Sequence, residues 1–227
     1  MLCTIDIGNT LKKYAVWDEE VLCQQGVWDN EIPEQVLACN RWVVSNVSGQ
    51  ELAIPAHVNA LIVNYTVNLP YTLKYKTPET LGIDRLASVA GAIQMGFSRA
   101  IVIDCGTCIK IELLINDEYI GGSISPGIYM RGKAMHEYTN KLPLVEPKAY
   151  LANYGQSTTD SLLCGMTQGA ASEIDGRISN IFREFGECPV LITGGDAILL
   201  HNHLKHKIFA SPNLLHLGLF KINTLND

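Results

Sequence analysis

Thr4-Ile5-Asp6-Ile7-Gly8-Asn9-Thr10 and Val102-Ile103-Asp104-Cys105-Gly106-Thr107 follow one plan. In each, a short apolar run carries an aspartate, a glycine-containing turn with a threonine follows, and a second β-like run begins. Such a segment reads as a β-hairpin whose turn presents backbone N–H groups and a hydroxyl, with a carboxylate at the strand end. N–H groups in a glycine turn attract phosphate oxygens, and a neighbouring aspartate can hold a divalent cation that bridges them. Asp, Gly and Asn are ordinary turn residues, so one copy carries little weight. Two copies, one opening each half of the chain, point to a duplicated phosphate-binding design.

The elements around the two turns repeat as well. Alternating and β-branched runs predict strands over 2–7, 12–17 and 21–27, with Asp18-Glu19-Glu20 as a turn. A short helix is expected over 33–40, strands over 41–45 and 60–63, a proline-containing loop over 68–80 and a helix over 81–95. The second half restarts with strands over 100–104, 108–114 and 118–124. Helices are expected over 128–139 and 158–185, with Gly165 and Gly176 as candidate breaks in the second. A buried strand over 189–193 then ends at Gly194-Gly195, ahead of a helix reaching about residue 203. Three strands followed by alternating helix and strand, twice over, is an α/β duplication, with halves 1–97 and 98–227.

Composition fits an enzyme of ordinary build. The 227 residues are 47% hydrophobic and 18% charged, enough for one large domain or two modest ones. No run approaches the roughly 18 to 20 apolar residues of a membrane span, and the N-terminal residues show no export signal. Seven scattered cysteines fit a reducing compartment, hence the cytoplasm. The net charge of −6 argues against nucleic acid as a partner, while metal and local Lys or Arg would still admit ATP.

Further blocks stand in order along the chain: Lys13 after the first turn, Tyr75 with Gly82-Ile83-Asp84-Arg85, and Gly121-Gly122 with Pro126-Gly127. Leu142-Pro143, Gly155-x-x-Thr158 with Gly165, and Thr193-Gly194-Gly195-Asp196 complete them. In order and spacing, together with the two hairpins, they resemble the type III pantothenate kinases of the actin, sugar-kinase and chaperone ATPase superfamily. The resemblance implies a duplicated ribonuclease-H-like fold, two mixed-sheet α/β halves flanking a nucleotide cleft. It implies phosphorylation of pantothenate by ATP, the first step towards coenzyme A. It makes Asp6, Ile7, Gly8, Asn9, Thr10, Leu11, Lys12, Lys13 and Thr107 the ATP-binding residues. Tyr75, Gly82, Ile83, Asp84, Arg85 and Thr158 would bind pantothenate, with Thr159 replacing Thr158 if the register slips by one. Asp84 would be the general base, Asp104 would hold a monovalent cation, K+ or NH4+, and Asp6 would hold Mg2+ directly or through water. A homodimer built on helices of the second half is implied too, with Thr158 able to serve the neighbouring subunit's site. Just after the second turn the chain departs from the family, carrying Cys108, Lys110 and Glu112 where Ala, Thr and Asp are more usual.

The chemistry of these residues agrees with such roles. A carboxylate can accept the proton of a primary hydroxyl attacking a γ-phosphate, and a planar guanidinium such as Arg85 can bind substrate oxygens. Lys12 and Lys13 alternate across a strand and cannot both face one site, so Lys12 reads as solvated. Asp84 and Arg85 could also simply brace a helix that starts there, and Ser157 to Asp160 read as a helix N-cap. Cys105-Gly106-Thr107-Cys108 spells C-x-x-C, but a strand-like run follows where a redox motif needs a helix. His201, His203 and His206 read as a solvated face, not a metal cluster. The rivals are another small-molecule kinase or phosphatase on this fold, or a non-catalytic regulatory protein.

Overall fold

A computed structural model of the chain describes all residues, 1–227. Its strands are β1 (Leu2–Ile7), β2 (Lys12–Asp18), β3 (Val21–Trp28), β4 (Arg41–Asn46), β5 (Asn59–Ile62), β6 (Thr72–Leu73), β7 (Ala100–Cys105), β8 (Cys108–Ile115), β9 (Glu118–Pro126), β10 (Val190–Thr193) and β11 (Phe209–Ala210). The helices are α1 (Glu34–Leu37), α2 (Ile83–Gln94), α3 (Ile128–Glu137), α4 (Thr158–Phe185), α5 (Ala197–Leu200) and α6 (Leu214–Thr224). Two compact units result. The first holds Met1–Ser98, Leu114–Gly121 and Asn213–Asp227, and the second holds Arg99–Leu113 and Gly122–Pro212.

The first unit is built on a mixed sheet of order β3-β2-β1-β4-β5. β1 runs antiparallel to β2 and parallel to β4, which sets Asp6 opposite both Lys13 and Ser45. Alternation along β1 explains its two faces. Cys3, Ile5 and Ile7 enter a core with Tyr14, Val16, Trp28, Val36 and Trp42. Thr4 and Asp6 point the other way, and the helices against β1 and β4 are α6 and α2. Those two helices touch nearly backbone to backbone. A Cβ on Gly91 would collide with the Leu214 carbonyl, and one on Gly218 with the Ala87 carbonyl. Only glycine permits that approach. The same unit takes the tip of the β8–β9 hairpin, where β6 runs parallel to β9 with Thr72 opposite Glu118.

The second unit repeats the topology. Its strands follow the order β11-β10-β7-β8-β9, and β10 lies parallel to β7 with Thr193 opposite Asp104. Each unit therefore orders its strands three-two-one-four-five from the hairpin that opens it, which is the expected duplication. β7 is apolar on both faces, with Ile101, Val102 and Ile103 all inaccessible, as a central strand covered on both sides requires. α4 runs unbroken through Gly165 and Gly176, because Leu162, Leu163, Met166, Ala170, Ala171, Ile174 and Ile178 bury one continuous stripe. That burial, about 1.5–3 kcal/mol per large side chain, outweighs about 1 kcal/mol of helix propensity lost per glycine. Ser157 caps the helix, its hydroxyl accepting from Asp160 N at 3.1 Å and donating to Asp160 Oδ2 at 2.8 Å.

Candidate functional site

In the first unit the hairpin between β1 and β2 places Asp6 at its base. The carboxylate is 8% exposed, and Ser45 Oγ donates to Oδ1 at 3.2 Å. Directly paired residues of an antiparallel ladder share a face, so Lys13 lies on the side of Asp6. Lys12 is on the opposite side, and its Nζ donates to the Asp29 carbonyl at 3.0 Å. That geometry removes Lys12 from the phosphate residues expected above. Ile7 is equally turned away as a side chain, being 1% exposed in the core. Gly8 N–H donates to the Leu11 carbonyl at 3.0 Å and closes the turn on itself, leaving Asn9, Thr10 and Leu11 exposed.

The start of α2 gathers four of the other candidates. Gly82 is the N-cap and Asp84 stands in the first turn. Asp84 Oδ1 accepts from Arg85 N at 2.9 Å and lies where a Cβ on Gly82 would fall. The carboxylate thus braces the helix start. Arg85 is 5% exposed, with Nη1 donating to the Tyr75 hydroxyl at 3.4 Å and its guanidinium carbon 5.5 Å from the Tyr75 ring centre. Tyr75 in turn lies parallel to Tyr119, centroids 6.1 Å apart and planes 1° apart. A stack of Tyr119, Tyr75 and Arg85 ends beside Asp84, a platform of fixed charge and ring next to a carboxylate. Tyr119 has no motif to announce it in the sequence.

In the second unit Asp104 is the penultimate residue of β7, and Lys110 Nζ stands 2.6 Å from Asp104 Oδ2. A K+ or NH4+ ion at Asp104 does not fit this arrangement, since an ammonium already occupies the carboxylate. Gly106 N–H donates to the Cys108 carbonyl at 3.1 Å, so this turn also closes on itself, with Thr107 exposed. Gly127 N–H donates to the Thr107 carbonyl at 3.1 Å and Asp196 N–H to the Cys105 carbonyl at 2.9 Å. Gly194 has φ +94°, and its missing Cβ would strike the Cys105 carbonyl and Asp104 Oδ1. Burial pushes the Asp196 carboxyl up, against a hydrogen bond from Ile128. It pushes the Cys105 thiol far up too, reinforced by the negative charges of Asp104 and Asp196.

Past Gly194-Gly195 lies an apolar cavity of about 280 Å³, lined by Ile192, Ala197, Ile198, His201, Ala210 and Pro212 among others. The glycine pair foretold a turn there, but not the cavity. His206 instead meets Ser179 Oγ at 2.9 Å, and no cluster of His, Cys, Asp and Glu is placed to hold a metal ion. Thr158 lines an open depression with Leu142, Gly155 and Ser161, whereas Thr159 does not line it.

Comparison with known proteins fixes the family. The family model for type III pantothenate kinase matches residues 45–180. A type III pantothenate kinase from Flavobacterium johnsoniae is 37% identical over 95% of this chain and 94% of its own length. Another, from Christiangramia forsetii, is 36% identical over 96% of both chains. Among solved structures, one described as a Baf family transcriptional activator from Campylobacter jejuni has a TM-score of 0.63 at 22% identity, covering 99% of this chain and 98% of that one. A likeness at that identity establishes the fold and carries no regulatory role. With matches of this extent to its sequence, the chain belongs to the type III pantothenate kinase family.

Proposed function

We propose that the start of α2 is where pantothenate is held and deprotonated, in the reaction that the family fixes. That reaction is ATP-dependent phosphorylation of pantothenate in coenzyme A biosynthesis, with a divalent metal accompanying ATP. The observation that carries the site reading is the Asp84–Arg85–Tyr75 group. Arg85 and Tyr75 supply a cation and a hydroxyl for the polar groups of pantothenate, with Gly82 and Ile83 shaping the wall. Asp84 then stands ready to take the proton of the primary hydroxyl as it attacks the γ-phosphate. Because Asp84 already braces α2, its position is held by the helix itself, which is the preorganisation such a step needs.

The phosphates are assigned to the two turns. Asn9, Thr10 and Leu11 in the first, Thr107 in the second, and Lys13 as a cation form this set, with halves 1–97 and 98–227 contributing one turn each. Mg2+ fits beside Asp6, a carboxylate positioned by Ser45, in the manner of a metal bound mainly by phosphate oxygens and water. When bound there it neutralises charge on the phosphates. Thr158 serves pantothenate from its depression at the N-terminus of α4. Exposed apolar residues of the second unit, Tyr138, Leu151 and Tyr154, at 88%, 70% and 70% exposure, support a homodimer through that unit. No helix is long and apolar enough to cross a membrane, and the cysteine pattern supports a cytoplasmic location.

A coupled assay with pantothenate and ATP tests this reading. Turnover should require Mg2+ and vanish with a chelator. Robust phosphorylation of a sugar or of acetate, with none of pantothenate, would overturn it.

A further inference from the structure

Each opening hairpin carries a lysine on the strand after its aspartate. Asp6 faces Lys13 across β1 and β2. Asp104 meets Lys110 in a pair whose side chains are only 18% and 16% exposed. Lys110 therefore sets a fixed positive charge against Asp104, the aspartate of the second hairpin.

The surroundings of Asp104 already hold a cation. Oδ2 is held at 2.6 Å by the ammonium. A free monovalent ion needs several oxygen ligands to replace its water, and beside this carboxylate it would meet a like charge. An ammonium ion and K+ have the same charge and similar size. A lysine ammonium is such an ion on a tether, at a local concentration that solution ions cannot match.

We propose that Lys110 Nζ is the resident monovalent cation of this site, and that the enzyme has no need of free K+ or NH4+. Lys110 is a positioning residue here, since it offsets and orients Asp104 while the turn around Thr107 keeps its shape. The inference rests on the pantothenate kinase reading.

The experiment compares the purified enzyme in tetramethylammonium buffer with the same enzyme given K+ at equal ionic strength. Added K+ should change its kcat/KM by less than about twofold. Lys110→Thr should lose about tenfold or more without K+ and recover when K+ or NH4+ is supplied, but not Na+. A second readout, independent of turnover, uses Tl+ as a probe for K+ sites. Its NMR line should be unaffected by the unsubstituted enzyme and broadened by Lys110→Thr, reversibly with K+. Activation of the unsubstituted enzyme by about tenfold or more, or K+-reversible Tl+ binding to it, would overturn the proposal. Should Lys110→Thr fail to fold, the two measurements on the unsubstituted enzyme decide the matter. Absence of phosphopantothenate in every salt would instead sink the kinase reading, with Tl+ binding left to judge the cation.

Discussion

Acid should loosen the first unit through one buried histidine. His216 on α6 is 6% exposed, and its Nδ1 lies 2.9 Å from Thr4 Oγ1 on β1. The same hydroxyl accepts from Trp17 Nε1 at 3.0 Å. Burial, reinforced by the charge of Lys13, pushes the imidazole down from 6.5 to about 4. The unfolded chain takes up a proton near pH 6.5, while the folded chain resists it until about pH 4, so acid favours unfolding. The stability from this group is whole above about pH 6.5, drains away between there and pH 4, and falls no further below. At about 1.4 kcal/mol per pH unit the full loss is roughly 3 kcal/mol, with about 2 kcal/mol gone by pH 5. Urea unfolding followed by tryptophan fluorescence measures it, because Trp17, Trp28 and Trp42 all lie in the unit that contains His216. Between pH 7.5 and pH 5 the unsubstituted protein should lose about 2 kcal/mol more than His216→Gln. Equal losses, within about 0.5 kcal/mol, would refute the reasoning.

Two further predictions concern the site. Asp84→Asn keeps the size and the hydrogen bond to Arg85 N but removes the proton acceptor, so kcat should fall by about 10²–10⁴ with ATP affinity little changed. Asp6→Asn should instead weaken Mg-ATP binding; a near-normal kcat for Asp84→Asn would make Asp84 a helix brace alone. Cys105→Ser with Cys108→Ser should retain activity within about threefold, since burial keeps the Cys105 thiol protonated and unreactive. An oxidant-dependent activity of the unsubstituted enzyme that the double variant abolishes would restore a redox role.

Much of this arrangement could be read from the sequence because the hairpins write it locally. An apolar run, an aspartate and a glycine turn specify β1–β2 and β7–β8 without reference to distant residues, and strand alternation alone separates Lys12 from Lys13. What escaped depends on partners far away in the chain. α6 was not foreseen, since Leu214, Leu217, Leu219, Phe220 and Ile222 crowd several faces of the helix and blur its period. Its place is fixed by Gly91, Gly218 and Thr4, none of which signals a helix contact by itself. Tyr119 was legible only as a strand residue, because its stacking partner Tyr75 comes from the loop before α2. Lys110 was legible as a departure, but the ion pair that gives it meaning required the register of β7 beside β8.

The duplication makes the two hairpins look interchangeable, yet their turns differ in ways that suit different tasks. The first has four residues between its strands, Gly8 to Leu11, and a backbone hydrogen bond inside the turn itself. Its three residues Asn9, Thr10 and Leu11 stand exposed. The second has only Gly106 and Thr107 between its strands, and neighbouring backbone clamps it. Gly127 bonds to Thr107, and Gly194 presses on Asp104 and Cys105 so closely that neither position admits a side chain. A clamped turn cannot adapt to a ligand, but it costs no reorganisation when charge develops beside it. Lys110 extends that logic, because a cation fixed by the chain is in place before any substrate arrives. The first hairpin thus keeps an exposed turn, whereas the second is braced by the backbone around it.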